Sequence, residues 1–430
     1  MEKIKELFQQ DVIITGVDQG NKSAKFSYLD EGGNIESFAI PTVVAPAEEK
    51  RSSIEGNTSS TSIEKRLHLK IQSKSVSTAN QERYVHVGHY ARNKEGREEP
   101  SYEQEKKQTS AKFSNDLHII TTLAGLAVIA VKTGKDMIHI PYAGGLPVNE
   151  MKELGSDQAF ESVKGTHHVT FIDGPAADKK VTIVIEKGKM YGEGAITDLS
   201  LNFDIVNGEV VETSLSDRLT DNYVLADLGA GTTDVVVFTD DGIDGSLSQS
   251  LDIGGTNPFI DRMMEKVNDL PEYQEMKELL GMGEEEMAYR SREDFMSEVI
   301  EPAIISYIQH DLERPTFEVN LMNRKTVDVT DIVMVEIEKY AEKHKADLNR
   351  VWNNTGTDDL VLVGGGLLFG YPVFQELQES FREKLGSDWA VFPDHVEESP
   401  FFTSRGYLIA NYMNTVHEEE TEDEMEEVIK

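Results

Sequence analysis

Tyr223-Val224-Leu225-Ala226-Asp227-Leu228-Gly229-Ala230-Gly231-Thr232-Thr233-Asp234-Val235-Val236-Val237-Phe238 places two apolar, β-rich runs on either side of an acidic, glycine-rich turn. The flanking runs, Tyr223 to Ala226 and Asp234 to Phe238, read as strands, and the segment between them as a hairpin tip. Gly229 and Gly231 let backbone N–H groups approach a phosphate with no Cβ in the way, and Ala230 lies between them. A carboxylate beside a phosphate chain is repelled unless a divalent cation lies between them. Asp227 therefore implies Mg2+, a hard ion bound through a few carboxylates, several waters and the phosphates. Thr232 and Thr233 add hydroxyl donors at the same tip.

The same device opens the chain. Asp11 to Val17 reads as a strand, Asp18-Gln19-Gly20-Asn21 as a turn and Ala24 to Leu29 as a second strand. A further turn at Glu31 to Asn34 and a strand from Ile35 to Ile40 complete a meander. Asp18 supplies the second carboxylate for the metal, and Gly20 frees the backbone for phosphate. Lys25 offsets phosphate charge, with Lys22 assisting. A third glycine turn, Gly364-Gly365-Gly366, follows the buried run Leu360 to Val363 and has the shape of a strand ending at a ligand. An Asp-x-Gly turn alone is more often an ordinary hairpin, and a glycine run alone serves equally well as a flexible strand-to-helix turn. In this order and spacing, the three point to a nucleotide held between two lobes. No Gly-x-x-x-x-Gly-Lys-Ser/Thr run occurs, which excludes a P-loop.

Charge and composition narrow the classes further. The 430 residues include 78 acidic and 42 basic side chains, for a formal charge of −36. Such a surface repels nucleic acid and anionic lipid, so direct contact with either is not expected. Cysteine is absent, which removes disulfides, thiolate zinc sites and a cysteine nucleophile, and suits a reducing cytosol. The longest apolar stretch, Ile119 to Val131, is too short to span a bilayer, and Met1 to Lys5 lacks the apolar core of a secretion signal. A cytoplasmic protein is expected. His167-His168 has no carboxylate or cysteine at ligand spacing, which argues against zinc. Met263-Met264 and Met282 to Met287 read as core packing.

Elsewhere the pattern predicts a mobile loop from Ala47 to Ser62, a buried helix from Asp116 to Thr133 and one strand from Met137 to Ala143. Two paired strands are expected at Val169 to Ile172 and Val181 to Ile185. A polar hairpin is expected at Asn202 to Asn222, helices over 258–311 and a long helix from Val327 to Asn353. The acidic run from Glu418 is expected to be disordered.

The three glycine segments resemble the phosphate-one, phosphate-two and adenosine motifs of the actin, sugar-kinase and heat-shock ATPase superfamily, in that family's order. Leu146-Pro147 is similar to its first connecting segment, and Pro400 to Tyr407 resembles the segment before the last helix in plasmid-segregating bacterial actins of the ParM type. The match spans most of the chain as a motif series, although residues 47–115 and 262–325 carry no matching motif. Asn21 stands where actins usually have Ser, so that phosphate contact falls to an amide side chain or to backbone.

The resemblance implies an α/β, actin-like two-lobed fold: two related RNase H-like α/β domains, each with a smaller inserted subdomain. The first core lobe would comprise 1–40, 113–205 and 395–417, with 41–112 inserted. The second would comprise 206–261 and 326–394, with 262–325 inserted, and 418–430 would form the tail. It further implies a catalytic Glu193, within Lys189 to Ala195, orienting water toward the γ-phosphate, with Asp227 holding the magnesium water shell. The long spacing from Glu193 to Asp227 is unusual for the family. Gly254-Gly255-Thr256 resembles the glycine turn that starts a helix near the nucleotide.

The function implied is an ATPase, with GTP as a second candidate substrate. It would polymerise into filaments of itself and move plasmid DNA through a ParR-type DNA-binding adaptor on a centromere-like site. A sugar or acetate kinase would need a catalytic Asp facing a small substrate, and none is placed for it. A heat-shock chaperone needs a large substrate domain after the ATPase, where only a short acidic run stands. A cell-shape or cell-division actin at the membrane is the remaining alternative, with Ile4, Leu7 and Phe8 as a short amphipathic turn.

Overall fold

The computed structural model describes residues 2–50, 62–77, 82–100, 116–146, 155–192, 194–251, 254–283, 285–289, 291–322 and 324–429, with side chains up to residue 416. The chain divides into two compact units, Met1–Ser216 with Phe401–Lys430, and Asp217–Pro400.

In the first unit, the expected meander forms as Thr15–Gln19, Ser23–Leu29 and Ile35–Pro41. Tyr142–Leu146 pairs parallel to its first strand through Val17 and Gly144, and Gly188–Gly192 pairs parallel beyond that. The opening strand begins at Thr15 rather than Asp11, because Asp11 takes the left-handed conformation with φ 60° and ends the turn after a helix, Glu2–Gln9. Ile4, Leu7 and Phe8 of that helix are buried in this unit's core. They are packed against protein rather than presented to a membrane.

A second sheet of six strands, ordered 44–46, 82–87, 67–72, 165–173, 180–185 and 137–139, completes the unit. The single strand expected over Met137 to Ala143 is two. Met137–His139 joins the second sheet and Tyr142–Leu146 the first. Pro141 lies at the break, where its missing N–H cannot serve a ladder. The helix Asp116–Lys132 is buried from Leu117 to Ala130 and touches strands of both sheets, which explains an apolar surface on nearly all sides.

In the second unit, Tyr223–Leu228 and Thr233–Thr239 form the antiparallel hairpin read from the sequence, and Asp359–Val363 lies parallel to Tyr223–Leu228. The helices Asn257–Asn268, Thr330–Thr355 and Gly365–Leu385 surround this sheet with a core rich in Phe, Tyr and Met. Met263 and Met264 are in that core as expected, whereas Met287 is exposed. The hairpin Phe203–Val206 and Glu209–Glu212 belongs with the first unit, which continues to Ser216. The last helix runs from Phe402 to Ile429, so the backbone is helical where the acidic run suggested disorder. Glutamate is a good helix former, and extending an existing helix needs no new nucleus.

Candidate functional site

The first tip is held from behind. Thr42 donates its hydroxyl to the Gly20 carbonyl at 2.8 Å and its N–H to the Lys22 carbonyl at 3.0 Å. Asp18 and Lys25 face each other across the ladder and form an ion pair of 2.9 Å, with Asp18 mostly buried. Lys25, expected to offset phosphate charge, is paired here with the Asp18 carboxylate at the same tip. His118 Nε2 lies 3.2 Å from the Asn21 amide oxygen; with the imidazole as donor, the Asn21 NH2 is left to serve as donor at the tip.

Gln19 was not among the residues singled out, although it sits between Asp18 and Gly20. It is buried and donates to Thr122 Oγ1 at 2.6 Å and to the Tyr142 hydroxyl at 3.3 Å. This ties the tip strand to the buried helix and to the neighbouring strand. Its signal in the sequence is a polar amide at a strand position with apolar surroundings, which needs distant partners to be stable.

The second tip is more fully defined. Gly229 donates its N–H to the Thr232 carbonyl at 2.9 Å and closes the turn. The carbonyls of Gly229, Ala230 and Gly231 then accept from Thr256, Asn257 and Gly255 at 3.4, 3.0 and 3.0 Å. In a planar trans peptide, the N–H points opposite to the carbonyl of the preceding residue. With three successive carbonyls turned toward the start of the helix Asn257–Asn268, the N–H groups of Ala230, Gly231 and Thr232 face the other way. Three convergent donors of this kind form an anion-binding concavity. Gly254-Gly255-Thr256 therefore supports the tip from behind, and any Cβ at Gly255 would overlap the Gly229 and Ala230 backbone.

The two threonines differ. Thr232 is exposed and donates to Asp234 at 2.9 Å. Thr233, expected as a donor at the tip, is wholly buried and bonds His344 Nε2 at 3.1 Å and the Gly254 carbonyl at 3.4 Å. Its hydroxyl is therefore held inside the fold, whereas the Thr232 hydroxyl lies on the exposed tip. His344 in turn bonds the Tyr340 carbonyl at 2.9 Å, and burial lowers its pKa to about 4. The ring is neutral at physiological pH.

Asp227 stands directly opposite Asp234 in the ladder and opposite Val363 on the parallel strand. Gly364, at φ 90°, turns the chain immediately after that strand, and a Cβ there would overlap the Asp227 carboxylate. The Ser399 hydroxyl donates to the Gly364 carbonyl at 3.2 Å. The structure thus brings Asp227, Gly229, Ala230, Gly231, Thr232, Gly254, Gly255, Gly364, Gly365 and Gly366 together in the second unit. Asp18, Gly20, Asn21, Lys22 and Lys25 gather in the first. Glu193 and Pro147 lie outside the described residues.

Sequence reasoning also missed Glu336. Its fully buried carboxylate accepts from Arg262 at 2.7 Å, Lys266 at 2.7 Å and Lys339 at 2.8 Å, joining the helix Asn257–Asn268 to Thr330–Thr355. Burial raises the pKa of this carboxyl, but the three cationic hydrogen bonds outweigh it and hold the group at about 2.

The sequence model of the N-terminal domain of actin-like proteins matches residues 16–195. ParM of Bacillus thuringiensis solved with ATP shares 36% identity, covering 94% of this chain and 100% of that one with a TM-score of 0.77. The same protein with AMPPNP gives 35% identity over 94% and 99%, with a TM-score of 0.74. The actin-like protein Alp7A, at 18% identity over 96% and 98% and a TM-score of 0.66, shares the fold. No curated protein sequence matches the chain. The chain belongs to the family of actin-like proteins. Within that family it is similar to ParM over nearly its whole length, and its α/β architecture is the actin-like one. Among the described residues, no helix is long and apolar enough to cross a membrane.

Proposed function

We propose that the chain is an ATPase that assembles with nucleotide into filaments of itself and segregates plasmid DNA through a separate DNA-binding adaptor. The observation that carries this reading is the second tip, whose three carbonyls are tied back so that its N–H groups are free to meet phosphate. Likeness to a ParM solved with ATP, ADP and AMPPNP supplies the nucleotide class. The first tip, with Gly20, Asn21, Lys22 and Lys25, binds the same triphosphate, and the Gly364-Gly365-Gly366 turn borders the nucleoside.

The donor set suits Mg2+. Asp227 and Asp234 are directly opposed on neighbouring strands; Asp234 accepts from the Thr232 and Ser250 hydroxyls, and the Asp227 carboxylate lies against the Gly364 turn. Among the described residues, no group of three or more His, Asp or Glu could hold a metal by itself. Such a set fits a hard ion that keeps waters and takes phosphate oxygens. Asp18 and Asp227 would hold its water shell, and bound Mg2+ would supply charge neutralisation at the phosphates. Glu193 is assigned to orient the attacking water. The division of each unit into a core domain and an inserted subdomain is part of the same proposal.

The net charge of −36 supports an adaptor over direct DNA contact. Nucleotide binding favours assembly, and hydrolysis loosens the contacts between copies. Sedimentation with ATP and Mg2+ at tens of micromolar tests the proposal: a nucleotide-dependent pellet is expected, and its absence would refute filament formation.

A further inference from the structure

The first tip is seated on one face of a buried helix. Gln19 donates to Thr122 Oγ1 at 2.6 Å, and Asn21, two residues on, has its amide oxygen 3.2 Å from His118 Nε2. Both partners belong to the helix Asp116–Lys132, where residues 118 and 122 are four apart and share a face. His118 is 2% exposed and stands in the first turn of that helix, whose start is anchored by the Asp116 carboxylate accepting from the Ser77 N–H at 2.9 Å. On the backbone side, Thr42 ties down the Gly20 and Lys22 carbonyls that flank Asn21. Asn21 is thus held by its backbone neighbours and again by its side chain.

A carboxamide accepts at one end and donates at the other, and the two ends are nearly the same size. Only one orientation suits an anion. With a proton on His118 Nε2, the ring donates to Oδ1 and leaves the NH2 for a phosphate oxygen. With Nε2 bare, the NH2 turns to the ring and Oδ1 faces the phosphate, which repels it. Among the described residues, the Asn21 amide has no second partner, so His118 sets which end is offered.

We propose that His118 is a positioning residue for the nucleotide, donating its Nε2–H to Asn21 Oδ1 so that the Asn21 NH2 is presented to a phosphate oxygen. The proposal rests on the assignment of the first tip to phosphate given above. A hydrogen bond to a charged group is worth about tenfold or more in affinity, so losing the orientation costs about as much as losing the amide.

The test uses the full chain and a fluorescent N-methylanthraniloyl-AMPPNP probe with Mg2+, at protein concentrations that give no pellet. Asn21→Ala and His118→Leu are each expected to weaken probe binding about tenfold, and the double variant no more than Asn21→Ala alone. His118→Asn, whose amide stops one methylene short, should behave as His118→Leu does and carries the same comparison should leucine unfold the unit. His118→Gln, whose amide nitrogen falls near the position of Nε2, should restore most of the affinity. A purely structural histidine would give losses that multiply in the double variant, or equal losses for glutamine and asparagine, and either result overturns the proposal. Asn21→Ala separates the two levels. If it binds the probe as wild type does, the first tip does not contact phosphate and the proposal falls with that assignment; if it weakens binding while the His118 variants do not, only the role of His118 fails.

Discussion

Replacing Glu336 with glutamine leaves three cations converging on a neutral amide inside the second unit. A carboxyl that titrates at about 2 in the fold and at its ordinary 4.5 when unfolded contributes ~3 kcal/mol at neutral pH. Removing one member of a buried charge pair costs ~3–5 kcal/mol, and here the cations, 41–54% exposed, can recover water, so the lower end applies. The pH window follows from the depressed value. As pH falls below 4.5, the unfolded chain takes up the proton first, so the contribution declines toward pH 2, and at pH 3.5 it is ~2 kcal/mol. Both tryptophans, Trp352 and Trp389, lie in this unit, so their fluorescence reports its unfolding selectively. With a urea dependence of ~2 kcal/mol/M, Glu336→Gln should lower the midpoint by ~1.5 M at pH 7 and by ~1 M at pH 3.5. A shift below ~0.3 M at pH 7, or one that grows as the solution is acidified, would refute the reasoning.

Two further outcomes follow from the second tip. Gly255→Val pushes the Gly229 and Ala230 backbone out of place; its nucleotide affinity should fall by tenfold or more, because each lost N–H to a charged phosphate costs ~1.5–3 kcal/mol, while circular dichroism remains native. Unchanged affinity would mean that the tip does not contact phosphate. His344, held neutral with its pKa at about 4 against an ordinary 6.5, makes the fold lose stability as pH falls from 6.5 toward 4, since the unfolded chain protonates first. His344→Gln should therefore lose ~2 kcal/mol less than wild type between pH 7 and pH 5 in urea titrations followed by tryptophan fluorescence.

Much of the scaffold was legible because it is local. Each hairpin tip is a few residues of turn chemistry between β-branched runs, and register then follows from alternation. Pro141 is equally local, yet the apolar run around it hid the break, since periodicity alone does not show which of two sheets a residue joins. What could not be read depends on partners far away in the chain. Thr233 looks like its neighbour Thr232 until His344, 111 residues on, is seen to hold it. Glu336 is one of 78 acidic residues, and nothing in its sequence surroundings marks it as buried. Gln19 is silent for the same reason, as its partners Thr122 and Tyr142 lie over a hundred residues away.

A crystal structure of the chain with a non-hydrolysable ATP analogue and Mg2+ tests the central claim most directly. The account predicts phosphate oxygens within hydrogen-bond distance of the N–H groups of Ala230, Gly231 and Thr232 and of the Gly20-Asn21 backbone, with Asp18 and Asp227 on metal-bound waters. A nucleotide held by one tip alone, or bound away from both, would contradict it.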